Sequence, residues 1–161
     1  MAFDDPDTRT ILAFLDRIGI SVAIEPIAGD TFLPAMKVRG GTLVVDPERL
    51  KWPGDLLHEA GHIAVTDPAL RPALDQVSDS PAEEIATIAW SYAAAVEIGL
   101  DAAVVFHAEG YRGGGASLAE NFTLGRYFGH PMLDYFGMTL SPLHAAKRGG
   151  TPYPHMLRWL R

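Results

Sequence analysis

The segment 56–65, LLHEAGHIAV, limits the possible folds of this chain more than any other. Apart from two histidines and one glutamate, its residues are apolar or glycine, so it is predicted to form a buried helix. His58 and His62 are four residues apart and therefore lie on the same face of that helix. Buried polar side chains are costly without partners. The fold must therefore supply partners for two imidazoles and one carboxylate.

Two histidines at this spacing can also supply two of the ligands of a metal site. They offer both imidazoles to one ion, and Glu59, next to the first histidine, can reach a water bound to that ion. This HExxH pattern is the arrangement of zinc hydrolases, in which the glutamate takes a proton from the water. The alternative is a helix whose histidines are satisfied by hydrogen bonds within the core. We predict a Zn²⁺ site with His58 and His62 as ligands and Glu59 as general base.

The composition narrows the choice of further ligands and of partners. The chain contains no cysteine, which excludes disulfides, thiolate metal sites and cysteine nucleophiles. Any metal must therefore be held by His, Asp or Glu. The net charge of −7 argues against nucleic acid as a partner, since binding it normally requires a basic surface. A length of 161 residues is enough for one core, and we predict a single domain over 1–161.

Two features predict a cytoplasmic protein without a membrane partner. The first residues, MAFDDPD, are acidic and lack the basic and then apolar pattern of a secretory signal. The most apolar region, 85–105, contains Glu97 and Asp101 and is rich in alanine. This composition favours a buried helix over a membrane span.

Periodicity and turn residues predict an α+β fold. A helical stripe closed by Gly19 predicts a first helix at 6–18. Segments rich in β-branched residues predict a small sheet, turned at Gly40 and Gly41, with strands at 20–27, 31–39 and 42–45. The HExxH helix follows at about 54–66. The second half is predicted to be helical around a loop at 107–115, with helices at 81–98, 117–128, 131–136, 142–147 and 154–161.

A catalytic zinc site typically has three protein ligands, so one more is needed beyond the two histidines. Asp67 lies in the turn that ends the same helix and would have to fold back toward it. Glu83 and Glu84 open the next predicted helix. That helix can pack across the first and deliver a carboxylate, so the two glutamates are the better candidates.

These motifs resemble those of a known family. HEAGH at 58–62 followed by EEIA at 83–86 resembles the gluzincin group of zinc metallopeptidases, whose third ligand is a glutamate on a later helix, in a pattern written ExxA. The short chain and the strand before the motif helix are similar to the minimal cytoplasmic gluzincin-like domains of the ImmA/IrrE type. The resemblance implies a small zincin-like domain that hydrolyses a peptide or protein substrate.

The ExxA pattern assigns the third ligand to Glu83. Helical spacing is interpreted as favouring the same choice, because it places on the Glu83 side a semi-polar stripe of Thr87, Trp90, Ser91 and Ala94. The Glu84 side is interpreted as core, with Ile88, Ala95 and Ile98. In the alternative, Glu83 turns back to the Ser80 backbone in a capping box and leaves Glu84 as the ligand. We predict Glu83 and keep Glu84 as the second choice.

Hydrolysis of an amide also needs a hydrogen-bond donor for the developing oxyanion. The glycine-rich loop 107–115 offers three candidates for this role or for substrate binding, His107, Tyr111 and Arg112. The strand at 42–45, just before the motif helix, could pair with an extended peptide by edge addition.

Two other classes of protein fit parts of the pattern. A metal-binding regulatory or interaction protein would keep the HExxH helix without hydrolysing peptides, and Trp90 or the loop 107–115 would then cover the metal. An open cleft would instead favour a peptidase. Glu59 and His62 also form an ExxH pair like those of di-iron carboxylate proteins, but such a site needs a second pair. No histidine stands three residues after any of Glu83, Glu84, Glu97 and Glu120.

Overall fold

The computed structural model of the chain describes residues 3–31, 33 and 35–161. In these residues the protein is α+β, with seven α-helices and a three-stranded mixed sheet. The strands are β1 (Val22–Ile24), β2 (Met36–Arg39) and β3 (Thr42–Val45). The helices are α1 (Pro6–Ile18), α2 (Gly54–Val65), α3 (Pro81–Ile98), α4 (Ala102–Val105), α5 (Gly115–Thr123), α6 (His130–Tyr135) and α7 (Pro142–Arg148). No described helix is both long enough and apolar enough to cross a membrane.

The sheet has the order β1-β3-β2, so β3 is its central strand. It pairs in parallel with β1, where Val22 lies opposite Leu43, and in antiparallel fashion with β2. The turn between β2 and β3 uses Gly40 and Gly41 at φ values of 55° and 74°, which favour glycine. Because β3 is paired on both sides, the expectation that a peptide adds to its edge is wrong. The outer strands of the described sheet are β1 and β2.

The centre of the molecule is the contact between α2 and α3. A Cβ atom on Gly61 of α2 would lie 2.9 Å from Thr87 Cγ2 and 3.1 Å from Trp90 Cε3 of α3, so the two helices approach closely at this glycine. Ser91 Oγ donates a hydrogen bond to the Leu57 carbonyl across the same contact, at 3.3 Å. Gly61 therefore serves helix packing, which brings the first turn of α3 alongside the HExxH residues.

A second close approach fixes the loop beside the site. A Cβ atom on Gly54, the first residue of α2, would lie 1.9 Å from the Val104 carbonyl oxygen of α4. Only glycine tolerates backbone at that distance. The sequence analysis did not predict α4, although its start is marked by Asp101, whose side chain accepts a hydrogen bond from Ala103 N at 2.8 Å. The contact leads the following loop 107–115 past the first turn of α2.

The C-terminal segment departs most from the prediction. A helix was expected at 154–161, but the segment is irregular and its backbone bonds to distant parts of the chain. Leu157 N donates to the Met138 carbonyl at 2.8 Å, and Arg161 N donates to the Ala64 carbonyl near the end of α2 at 2.9 Å. Trp90 Nε1 donates to the Trp159 carbonyl at 3.0 Å. These long-range hydrogen bonds replace those that a local helix would form.

Smaller differences between the predicted and the observed bounds of strands and helices have local causes. The strand predicted at 20–27 stops at Ile24, because Pro26 has no N–H for a ladder and Ile27 N donates instead to the buried Asp46 carboxylate at 2.9 Å. The strand predicted at 31–39 is reduced to β2, and Phe32 and Pro34 of that range lie outside the described residues. The helix predicted at 117–128 begins at 115 and ends at 123, before Gly125 at φ 75°.

Gly61→Ala tests the helix contact. In an isolated helix this change would be stabilising by about 1 kcal/mol. Here the new Cβ forces α2 and α3 apart, so we expect the free energy of unfolding to fall by roughly 1–3 kcal/mol. Urea unfolding of the metal-free protein measures the difference. A variant as stable as the wild type, or more stable, would contradict the close contact.

Candidate metal centre

Three side chains from two helices converge beside the α2–α3 contact. His58 and His62 project from α2, and their Nε2 atoms are 3.2 Å apart. Glu84, in the first turn of α3, places Oε1 at 3.4 Å from His58 Nε2 and Oε2 at 3.0 Å from His62 Nε2. These ligand atoms all lie within 4.8 Å of one another, so the group could hold a metal ion.

The spacing of the three groups suits a tetrahedral ion. Zinc binds imidazole nitrogen and carboxylate oxygen at about 2.0–2.2 Å, and at those lengths tetrahedral ligand atoms are separated by roughly 3.3–3.6 Å. The two Nε2 atoms, 3.2 Å apart, are close to that range, and each has a Glu84 oxygen nearby, Oε1 at 3.4 Å from His58 and Oε2 at 3.0 Å from His62. Three protein ligands would leave the fourth position of a tetrahedron for water or substrate.

The second nitrogen of each imidazole faces a hydroxyl group. Tyr111 Oη lies 3.0 Å from His58 Nδ1, and Thr87 Oγ1 lies 3.4 Å from His62 Nδ1. In a metal site the ring nitrogen that does not bind the ion usually bonds to a neighbouring group, which sets the tautomer and the ring angle. Both histidines therefore present Nε2, and not Nδ1, to the shared centre.

Of the two candidates for the third ligand, the second choice is the one that lies beside the histidines. Glu84 joins the two histidines, and Glu83, the first choice of the sequence analysis, is not part of the described group. Helical spacing does not explain the difference: Thr87, Trp90 and Ala94 of the predicted stripe lie nearer to Glu83 around the helix, and only Ser91 lies nearer to Glu84. The position of Glu84 depends on how the first turn of α3 packs against α2.

Two other roles, the capping box of Ser80 with Glu83 and the ligation by Asp67, are not observed among the described residues. The Ser80 side chain makes no capping hydrogen bond at the start of α3, so the predicted capping box is absent there. Asp67 Oδ1 accepts a hydrogen bond from Ala69 N at 2.8 Å and thus caps the turn that follows α2. Asp67 is directed to its own turn and is not part of the metal-ligand group found among the described residues.

Glu59 is buried beside this group, and its side chain lines the same cleft. Burial raises the pKa of Glu59 to about 7, with further contributions from the negative charges of Glu84 and Asp55. A carboxyl group with this pKa can both accept and release a proton near neutral pH.

In contrast to the raised pKa of Glu59, the pKa values of His58 and Glu84 in the candidate group are lowered. Burial, reinforced by the charge of His62, lowers the pKa of His58 to about 4, so its imidazole is neutral at pH 7. A hydrogen bond from His62 lowers the pKa of Glu84 below its ordinary value. A neutral imidazole and an ionised carboxylate are the forms that bind metal.

The centre lies in a cleft of ≈ 1020 Å³. Trp90, one candidate cover, is fully buried in the core against Phe14 and Trp159 and is not among the residues that line the cleft. The loop 107–115 forms one wall of the cleft. The apolar part of the lining comes from Leu33, Ala35, Met36, Leu50, Trp52 and Val77. Both imidazoles are therefore reached from an open cleft of a size that suits a ligand.

The three candidates from the loop line the cleft but differ in what they face. His107 Nε2 lies 2.8 Å from Asp55 Oδ1, its ring stacks on Trp52 with centroids 4.6 Å apart, and its Nδ1 is buried with no hydrogen-bond partner among the described residues. Tyr111 faces His58, and burial raises its pKa above the ordinary value. Arg112 is exposed at the cleft wall. Nε2 of His107 is thus paired with Asp55 within the cleft lining.

Asp55 and Trp52 are contacts that the sequence analysis missed. Asp55 had a readable signal, because it stands three residues before His58 and therefore near it on the surface of α2. Trp52 had none, since its contact with His107 depends on how the loop 107–115 crosses the start of α2.

A comparison of the chain with protein-family models, curated proteins and solved structures finds no match.

Neutralising one glutamate at a time tests the third ligand. Glu84→Gln removes a ligand charge, so we expect zinc affinity to fall by more than the roughly 10- to 100-fold that loss of a ligand's hydrogen-bond partner costs. Glu83→Gln is the matched control and should bind zinc as the wild type does. Competition with a chromophoric chelator measures both. A larger loss in Glu83→Gln than in Glu84→Gln would contradict the assignment.

Proposed function

We propose that this protein is a zinc-dependent metallopeptidase of the gluzincin-like type. The observation that carries the proposal is the convergence of His58, His62 and Glu84 on one point in an open cleft, with Glu59 beside them. A site with only a structural metal would be closed by a fourth protein ligand. The described group has three.

Zinc is the ion that best suits this donor set. Two imidazoles and one carboxylate are a ligand set of catalytic zinc sites, and the chain has no cysteine to favour a thiolate-bound metal. When bound, zinc polarises a carbonyl oxygen and lowers the pKa of a coordinated water toward about 7. The protein supplies the remaining chemistry.

Glu59 is the general base of the proposed reaction. Its carboxylate accepts a proton from the attacking water, whose oxygen forms a bond to the carbonyl carbon of the peptide. The carbon–nitrogen bond then breaks, and Glu59 returns the proton to the leaving amine. The pKa of about 7 suits both transfers, because a group that is half ionised near the working pH can accept and donate.

The substrate is proposed to be a peptide or protein segment in extended form. The cleft borders the start of β2, through Met36 and the preceding Ala35. Since β2 is an outer strand of the described sheet, it can add a peptide strand where the central β3 cannot. Apolar residues in the lining favour a peptide with an apolar side chain near the cleaved bond.

A metal-binding regulatory or interaction protein without peptide turnover is the second candidate. One observation favours it: two of the three expected oxyanion donors, His107 and Tyr111, face Asp55 and His58. Tyr111 can still serve a substrate if His58 donates to its oxygen, because its own O–H is then free. Arg112 at the cleft wall is the remaining donor.

The variant Glu59→Gln distinguishes the two functions. It keeps the shape of the side chain but removes the base, so we expect peptide cleavage to fall by about 10²- to 10⁴-fold while zinc affinity stays within a few-fold of wild type. Cleavage of a peptide library, read by mass spectrometry, measures the loss. If zinc-loaded wild type cleaves no peptide, the regulatory function is favoured. Cleavage that survives unchanged in Glu59→Gln would rule out its role as base.

A further inference from the structure

Two aromatic rings pack against the ring of Tyr111. The ring meets His58 edge to face, with centroids 5.5 Å apart and planes at 85°. It meets the fully buried Phe106 at 5.5 Å and 70°. Its Oη lies 3.0 Å from His58 Nδ1. The hydroxyl is therefore directed at a ring atom of a metal ligand.

The backbone of the loop is unusual at this residue. Tyr111 and the following Arg112 both have φ 55°, in the left-handed region that residues with a Cβ atom rarely adopt, and Gly113 continues at φ 83°. Such conformations persist where the surrounding structure over-determines them, and they are concentrated at functional sites. Here the left-handed turn carries the side chain that contacts His58.

The direction of the hydrogen bond follows from the tautomer. A neutral imidazole has one N–H and one nitrogen with a free lone pair. Nε2 of His58 is the nitrogen that faces His62 and Glu84, so a metal at that point takes the Nε2 lone pair. The proton must then sit on Nδ1, which donates it to Tyr111 Oη.

We propose that Tyr111 is a positioning residue of the metal centre: its Oη accepts the Nδ1–H of His58 and so fixes the tautomer and ring angle that present Nε2 to the metal. This inference rests on the metal site of the proposed function and not on peptide hydrolysis. A positioning role differs from the role of a donor to substrate in what it predicts. Loss of a donor would lower turnover but not metal affinity, whereas loss of a positioning residue lowers metal affinity.

His58 needs this support more than His62 does. The His62 side chain is 4 % exposed and is enclosed by the α2–α3 contact, whereas the His58 side chain is 15 % exposed at the cleft. Thr87 stands at 3.4 Å from His62 Nδ1, a longer approach than that of Tyr111 to His58. The Tyr111 hydroxyl therefore makes the shorter of the two contacts, and it makes it with His58, the less enclosed of the two imidazoles.

The variant Tyr111→Phe tests the inference, because it removes the hydroxyl and keeps the ring that packs on Phe106. We expect zinc affinity, measured by chelator competition, to fall about 10- to 100-fold. Tyr153→Phe is the matched control. It removes another buried hydroxyl, which donates to the Ala89 carbonyl at 2.7 Å and is not part of the cleft lining. It should keep wild-type zinc affinity.

A spectroscopic measurement separates positioning from a general loss of stability. In zinc-loaded protein with ¹⁵N-labelled histidine, the His58 Nδ1–H should give a proton signal that is protected from exchange in the wild type and lost or shifted upfield in Tyr111→Phe. Equal zinc affinity and an unchanged Nδ1–H signal in Tyr111→Phe would overturn the inference and leave the metal site intact. A wild type that binds no zinc would overturn the metal site of the proposed function as well.

Discussion

The close contact of α2 with α3 at Gly61 is the interaction on which the candidate metal centre depends. It places Thr87 against the HExxH helix, and one turn earlier on α3 it places the Glu84 carboxylate within 3.4 Å of both imidazoles. A metal site tolerates errors of only a few tenths of an ångström in ligand position. The site therefore requires glycine at position 61, although glycine weakens the helix by about 1 kcal/mol relative to alanine. The same close approach thus determines both the packing of the two helices and the position of the Glu84 carboxylate.

Burial then gives each group of the centre a different chemical character. The desolvation that raises the pKa of Glu59 to about 7 also lowers the pKa of His58 to about 4, so a carboxyl group able to exchange protons lies beside a neutral imidazole. Glu84 is more exposed and is hydrogen-bonded by His62, and its pKa is lowered. Two carboxyl groups thus acquire different roles from their surroundings: Glu84 suits a ligand and Glu59 suits a base.

The sequence predicts well the features whose signals are local. The bounds of α1 and α3 follow from Pro6, Gly19, Pro81 and Gly99 at their ends, and the pair of histidines follows from helical spacing alone. Features that depend on how helices and strands pack against one another could not be predicted from the sequence. The choice of Glu84 over Glu83 depends on how α3 packs against α2, and the central place of β3 depends on the strand order. The contact of Tyr111 with His58 joins residues 53 positions apart.

We expect one metal ion to be shared by His58, His62 and Glu84, and anomalous diffraction from a zinc-loaded crystal is the measurement that checks this. Data collected on both sides of the zinc absorption edge locate the ion independently of any assumption about its ligands. We expect one strong peak at about 2.0–2.2 Å from His58 Nε2, His62 Nε2 and a carboxylate oxygen of Glu84. A peak elsewhere, or none at this position in stoichiometrically loaded protein, would contradict it.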